Sequence, residues 1–140
     1  MNISKHTVDT HRKNIMRKSI ILLLLITFFV AACSSSSTAD PAQTVEKYMQ
    51  AKADADAGTI GQLLCSEMEG VLERESRTFE SVSGVHIEDM VCEQVGESQV
   101  VSCQGKIVAT YGTEETEFPL ASYRVVEEDG EWKWCGEAAP

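Results

Sequence analysis

The five cysteines carry the clearest chemistry in this chain. A thiol can form a disulfide, ligate a metal, or act as a redox centre in a Cys-x-x-Cys motif. No two cysteines have the close spacing of a zinc or redox motif, and His86 is the only histidine beyond residue 11. The sequence therefore predicts no metal site and no cofactor, and crosslinks become the expected role for most of the thiols, which are Cys33, Cys65, Cys92, Cys103 and Cys135.

Cys33 differs from the other four cysteines because it ends a short apolar segment. Residues 20–30 are apolar apart from Thr27, and basic residues precede them. A membrane-spanning helix needs about 20 apolar residues, so this shorter run fits the core of a signal peptide. The residues Val30-Ala31-Ala32-Cys33 resemble the lipobox of bacterial lipoproteins.

The lipobox resemblance implies that a signal peptidase cuts between Ala32 and Cys33 and that the Cys33 thiol is diacylated. We therefore expect an exported protein held by lipid on the cell membrane or the outer membrane, facing outside the cytoplasm. Ser34 resembles the residue that follows the cysteine in lipoproteins sent to the outer membrane. The simpler alternative is a secretory signal cut after Ala32, with Cys33 as an incidental thiol.

The expected organisation follows from this anchor. Residues 1–32 would be the signal peptide, with Met16 as an alternative start, and residues 33–40 a Ser-rich tether. Residues 41–140 would form a single domain, which is enough chain for one core. Without its first 32 residues the chain keeps 7 basic and 21 acidic residues, a formal charge of −14. Such a surface repels nucleic acid, so a DNA or RNA partner is not expected.

The remaining four cysteines are an even number, which in an exported domain predicts two disulfides with three connectivities open. Residues 85–95 and 99–111 are rich in branched side chains and read as a hairpin. A two-residue loop at Glu97-Ser98 would place Cys92 opposite Cys103. Cys65 would then pair with Cys135, and a register error of one residue would defeat this pairing.

The secondary-structure elements that must position the cysteines are predicted to be helices in the first part of the domain and strands in the second. Asp40-Pro41 predicts a helix start. Val45, Tyr48, Met49 and Lys52 follow at helical spacing, which predicts an apolar face with the aliphatic stem of Lys52 lying along it. Thr59 is the expected cap of a second helix, and a third segment starts at Ser66. Four strands are expected at 85–95, 99–111, 118–126 and 131–135, with a turn at 112–115 and a tight turn at Asp129-Gly130.

This order predicts an α+β fold with N-terminal helices packed on a curved antiparallel sheet. The layout resembles the NTF2-like, or cystatin-like, superfamily. The residues that carry the resemblance are Asp40-Pro41, Val45 and Tyr48-Met49 in the opening helix, Leu63-Leu64-Cys65, and the closing Asp129-Gly130-Glu131-Trp132-Lys133-Trp134-Cys135. Small exported lipoproteins of this superfamily often pair a cysteine after the second helix with one beside the terminal tryptophan.

The resemblance also implies where chemistry would lie, because enzymes of this superfamily place acid–base groups in the cone between helix and sheet. The candidate groups are His86, Glu88, Asp89, Tyr48, Tyr111 and Tyr123. His86 and Asp89 fall on opposite faces of a regular strand, whereas His86 and Glu88 share one. The expected pocket lining is Tyr48, Tyr111, Tyr123, Trp132 and Trp134, although the tryptophans also suit a core.

No catalytic motif stands out, and residues 54–58 fail as a calcium loop because the required glycine and the closing glutamate are absent. We therefore expect a non-catalytic, lipid-anchored envelope protein that binds a small ligand or another envelope protein. One alternative is an NTF2-like enzyme of the cyclase or isomerase type. Another is an acidic accessory or immunity-type protein that binds an envelope partner.

Overall fold

The computed structural model describes residues 40–139. The expected signal peptide, the cleavage site at Ala32, Cys33 and the tether up to residue 39 lie outside these described residues. The described elements are α1 (Pro41–Ala53), α2 (Ala57–Leu63), a 3-10 helix (Ser66–Val71), α3 (Leu72–Ser76), β1 (Ser83–Gln94), β2 (Val100–Tyr111), β3 (Glu114–Pro119), β4 (Ser122–Glu128) and β5 (Glu131–Glu137). The predicted α+β class is confirmed.

Helix α1 begins where the sequence predicts. The Asp40 carboxylate accepts a hydrogen bond from the Ala42 N–H at 3.0 Å, and Pro41 occupies the first helical turn. Val45, Tyr48 and Met49 are buried on one face. The predicted cap of α2 is wrong by three residues: Asp56 caps this helix and accepts from both the backbone and the hydroxyl of Thr59. A carboxylate offers more acceptor capacity than a hydroxyl at this position.

The β1–β2 hairpin has the predicted register, with Cys92 opposite Cys103. Its tip is longer than the predicted two-residue loop, because the last backbone hydrogen bond runs from the Val95 N–H to the Val100 carbonyl. A bulge interrupts β1 between Glu88 and Val91. Gly105 faces this bulge at φ +101°, and an added Cβ there would lie 2.6 Å from the Glu88 carbonyl oxygen.

The expected single strand over residues 118–126 is wrong. Two strands, β3 and β4, lie against the same edge of β2. The strand structure is interrupted between them at Leu120 and Ala121. Pro119 has no N–H to donate and ends β3. The Leu120 N–H donates to the Gly105 carbonyl, and the Ala121 carbonyl accepts from the Cys103 N–H. Between these two hydrogen bonds β2 therefore has one more residue than the segment opposite it. The sheet therefore has five strands, with β3 starting inside the expected turn.

The helices cover one face of this antiparallel sheet, whose order is β1-β2-β4-β5 with β3 beside β2. The predicted tight turn joins β4 to β5 at Asp129-Gly130, where both residues have positive φ. The predicted cross-strand neighbours Val125 and Trp134 are confirmed. The Trp134 ring stacks on Tyr48 of α1, with ring centroids 4.0 Å apart and an interplanar angle of 9°.

Both predicted cysteine pairs lie at disulfide distance. The Sγ atoms of Cys65 and Cys135 are 1.96 Å apart, and those of Cys92 and Cys103 are 1.97 Å apart. The first pair joins the end of α2 to β5 across 70 residues, and the second crosses the β1–β2 hairpin. The first therefore ties the sheet to the helices, and the second holds two neighbouring strands together.

Candidate ligand cavity

The described residues line a partly open cavity of about 360 Å³ between the helices and the sheet. Small-molecule sites in proteins start at roughly this size. Two groups of core side chains meet around it, a larger one under α1 and a smaller one around Phe79 and Ile107. The apolar lining residues are Met49, Met68, Phe79, Ile107, Phe118, Pro119, Leu120 and Trp134.

A buried carboxylate, Glu75, forms the polar part of the cavity wall. Its side chain sits on α3 and the residue is only 5% exposed. Its Oε2 accepts from the Tyr48 hydroxyl at 2.9 Å and from the Lys52 Nζ at 2.7 Å. Its Oε1 accepts twice from the Arg74 guanidinium, at 3.1 and 2.9 Å. Both carboxylate oxygens are therefore fully engaged.

These contacts determine the ionisation of the group. Burial alone would raise the pKa of Glu75, but the hydrogen bonds from Lys52, Arg74 and Tyr48, together with the charge of Lys52, outweigh burial, so the pKa lies below its usual value. Burial raises the pKa of Tyr48 far above its usual range, and the Glu75 charge raises it further. At neutral pH, Glu75 is therefore an anion and Tyr48 a neutral hydrogen-bond donor.

A second polar region of the lining lies on β4 and β5. The Tyr123 hydroxyl oxygen accepts from the Ala121 N–H at 3.2 Å. Burial raises the pKa of Tyr123, and the charge of Glu137, its cross-strand neighbour, adds to the rise. The side chain of Tyr123 packs next to Trp134 with ring centroids 6.4 Å apart. This part of the wall is therefore aromatic, with one neutral hydroxyl.

The outer part of the cavity is aromatic as well. Phe118 on β3 contacts Phe79 and Tyr111, with ring centroids 6.0 and 6.3 Å away. Phe118 and Tyr111 are among the exposed large hydrophobic residues. The rim of the cavity therefore presents apolar surface to solvent.

The predicted pocket residues divide between the lining and the core behind it. Tyr111, Tyr123 and Trp134 line the cavity, whereas Tyr48 and Trp132 do not. Tyr48 is fully buried, because Trp134 stacks on its ring and its hydroxyl donates a hydrogen bond to Glu75. Trp132 packs against the edge of the main core. For these two residues the structure corrects the expected pocket lining.

The predicted acid–base groups of β1 lie away from the cavity. His86 is exposed; its Nε2 is 3.1 Å from the Glu88 carboxylate and its Nδ1 is 2.8 Å from the Gly84 carbonyl. Asp89 is exposed at the bulge with φ +51°, and it makes no hydrogen bond to His86 among the described contacts. No residue of β1 lines the described cavity.

Glu75 and Arg74 were missed by reading the sequence. Residues 73–80 are rich in charge, and none of these charged residues was among the predicted candidates. A usable signal was present, because Glu75 follows the inward-facing Leu72 by three residues and so shares its helix face. Lys52 was expected to extend along the apolar face of α1, and it does so until it reaches Glu75.

One further cluster has the composition of a metal site. Cys65, Glu67 and Cys135 bring their ligand atoms together, but the two sulfurs are paired with each other. Arg124 also occupies the Glu67 carboxylate and donates to the Cys135 carbonyl. This cluster is therefore not a cation site. Among the described helices, none is long and apolar enough to cross a membrane.

No protein-family model and no curated protein matches the chain. Among solved structures, it is similar to a SEC-C motif containing protein from Rhodopseudomonas palustris, with a TM-score of 0.54 and 15% sequence identity over 76% of this chain and 84% of that one. It is also similar to an NTF2-like protein of unknown function in nutrient uptake from Rhodospirillum rubrum, with a TM-score of 0.46 and 20% identity over 70% of this chain and 95% of that one. At 15% identity, the first similarity shows a shared fold alone.

Proposed function

We propose that this chain is a non-catalytic, lipid-anchored envelope protein whose α+β domain binds a small, largely apolar ligand. The observation that carries the proposal is the cavity of about 360 Å³, whose lining combines apolar side chains with a few fixed polar groups, among them the buried Glu75 and Tyr123. Binding sites for small molecules combine apolar walls with a few fixed polar groups in this way.

Binding is favoured over catalysis by the state of Glu75. A general base needs a free acceptor oxygen and a pKa near the working pH. The oxygens of Glu75 are fully engaged and its pKa is lowered. His86, the acid–base residue that the enzyme alternative depends on, is exposed on a strand that does not line the cavity. Of the other polar lining groups, Lys52 is already paired with Glu75 and the Tyr123 hydroxyl accepts from the Ala121 N–H.

The anchor and the location rest on the signal segment and Cys33. Two cysteine pairs at disulfide distance support an oxidising compartment. Intact mass spectrometry of membrane-extracted protein, with and without reductant, tests both points together. A mature mass that starts at Cys33 with added acyl chains and gains four hydrogens on reduction is expected. A Cys33→Ser chain that is still cut after Ala32 and still sediments with membranes would contradict the anchor.

The cavity is tested by filling it. Leu120 lines the cavity and packs against both core clusters, so Leu120→Trp should occupy its volume. Val95→Trp is the matched control, because Val95 is exposed at the hairpin tip and does not line the cavity. The full chain is extracted from its native membrane in polymer nanodiscs, and its small molecules are identified by mass spectrometry. A bound compound should remain with Val95→Trp and be lost with Leu120→Trp; loss from both variants would contradict the proposal.

A protein partner is the second candidate, because β3 pairs only with β2 among the described strands. Glu114 and Glu115 on this edge are exposed, and neither is in a described ion pair. An acidic edge of this kind suits a basic partner. A photo-crosslinker at Glu115 should then give one discrete adduct in intact cells, and the same group at Glu97 of the hairpin tip should give none.

A further inference from the structure

Around Glu75, in the wall of the cavity, cations outnumber acids, which is unusual in this acidic domain. Lys52 and Arg74 share one carboxylate, Glu75, so two cations face one anion. Every other ion-paired cation has at least one acid of its own: Arg77 with Glu73 and Glu80, Lys106 with Glu88 and Glu117, Arg124 with Glu67, and Lys133 with Glu131. The polar end of the cavity is therefore locally positive within a strongly negative domain.

The hydrogen-bonding capacity at this end is equally one-sided. Glu75 has no acceptor direction left, because each of its oxygens takes two donors. Lys52 uses one of its N–H groups and Arg74 donates only along one edge of its guanidinium. Arg74 keeps 69% of its side chain exposed and Lys52 keeps 21%. The unused groups are all donors, and they can serve only an acceptor.

The rest of the cavity offers apolar contact. Met49, Phe79 and Leu120 contribute aliphatic and aromatic surface, and Phe118 extends it to the rim. The one lining acid outside the cluster, Glu137, is exposed on β5, paired across the strands with Tyr123, and contributes a second negative charge to the same cavity. A ligand with an anionic head at Lys52 and Arg74 would thus lay an apolar body along the remaining wall.

We propose that the cavity selects a carboxylate with an apolar body, whose head accepts hydrogen bonds from Lys52 and Arg74. This inference rests on the proposed binding function and names its ligand class. Carboxylate oxygens pair well with a guanidinium edge. Burial of the apolar body against the aromatic wall supplies the remaining affinity.

The test compares three probes that share one tail and differ in charge: octanoate, 1-octanol and octyltrimethylammonium, all kept below micelle formation. The expected mature chain, residues 33–140 with Cys33→Ser, is used with its disulfides formed, so that neither lipid nor detergent competes for the cavity. Binding is followed by calorimetry and by the fluorescence of Trp134, which lines the cavity. Octanoate should bind about 10-fold more tightly than either other probe, the effect of one charge-assisted hydrogen bond.

Matched variants locate the head group. Arg74→Gln should weaken octanoate about 10-fold and leave 1-octanol unchanged. Arg77→Gln removes the same charge three residues away, at a residue that does not line the cavity, and should leave both affinities as they are. Glu137→Gln should tighten octanoate binding because it removes a negative charge from the wall.

Three outcomes overturn the inference. Equal affinity for the three probes would show a cavity without charge selection, and would leave the proposed binding function standing. Preference for octyltrimethylammonium, weakened by Glu137→Gln, would assign the opposite charge to the ligand. Failure of all three probes to bind a folded chain would contradict the proposed binding function as well. The charge series on the unmodified cavity decides these cases even where a variant is unstable.

Discussion

Replacing Glu75 by glutamine tests whether this carboxylate holds the cavity wall together. Glu75→Gln keeps the shape of the side chain and removes the charge that Lys52 and Arg74 share. The new amide can still accept from Tyr48 or Lys52 through its oxygen, but its NH₂ group would face the donors of Arg74. The variant therefore has two cations without a counter-ion and one donor–donor contact.

The size of the effect follows from the exposure of the partners. Removing one member of a buried ion pair costs about 3–5 kcal/mol. Lys52 and Arg74 retain 21% and 69% of their side-chain exposure, so water compensates part of the loss. We expect the lower end, about 3 kcal/mol, which corresponds to a melting temperature lower by roughly 12–24 °C for a domain of this size.

Urea denaturation under oxidising conditions, followed by tryptophan fluorescence, measures this loss. Glu73→Gln is the matched control, because Glu73 lies on the same helix and pairs with Arg77 at an exposed position where ion pairs contribute little. Adding Lys52→Met to Glu75→Gln should recover part of the stability, because it removes one uncompensated charge. A Glu75→Gln chain as stable as the Glu73→Gln chain would refute the reasoning.

The same pair of proteins gives a pH test with a definite sign. The pKa of Glu75 is lower in the folded chain than its usual value of 4.5. The stability that this carboxylate contributes is therefore fully present above the usual pKa and is lost as the pH falls through the folded-state pKa. The difference between wild type and Glu75→Gln should stay constant near neutral pH and shrink below pH 4.5. A difference that stays constant or grows down to pH 3 would contradict the assignment.

Other expectations concern the frame around the cavity and one surface group. In the chain-entropy model, loss of the 65–135 disulfide should cost about 4 kcal/mol and loss of the 92–103 disulfide about 3 kcal/mol, as measured by urea denaturation of each Cys→Ala double variant; the reverse order would contradict the model. Gly105→Ala should destabilise far more than Gly96→Ala in the same assay, because both have positive φ but only Gly105 faces backbone within 3 Å. The His86 resonance should titrate above 6.5 by NMR, because the Gly84 carbonyl and then the Glu88 carboxylate stabilise its protonated form.

Much of the fold could be predicted from local signals that have one physical solution. Asp40-Pro41 starts a helix because the side chain supplies an acceptor and the ring fixes φ. Asp129-Gly130 closes a hairpin because both positions need positive φ. The Cys92–Cys103 register was predicted correctly even though the hairpin tip is longer than expected. The longer loop is centred on the same point of the chain as the predicted one, so the residues that pair outside it are unchanged.

The break between β3 and β4 could not be predicted in the same way. Residues 118–126 alternate well enough for one strand, and Pro119 alone is compatible with an edge strand. The break depends on Gly105, whose carbonyl accepts from Leu120 on one side of β2 while the bulge of β1 lies on the other. Such an arrangement involves three strands, and a pattern along one strand does not contain it.

The cavity lies where these local patterns are weakest. Leu120 stands at the break in the sheet and Glu75 on a helix of only five residues, and both line the cavity. The side chains of regular helices and strands pack closely against their neighbours. Around the strand break and the short helix, by contrast, a space remains, and Lys52 and Arg74 keep unused hydrogen-bond donors. Natural proteins depart from local regularity chiefly at functional sites. The strand break and the short helix converge on one cavity, and this convergence is the strongest reason to test it for a ligand before any other surface.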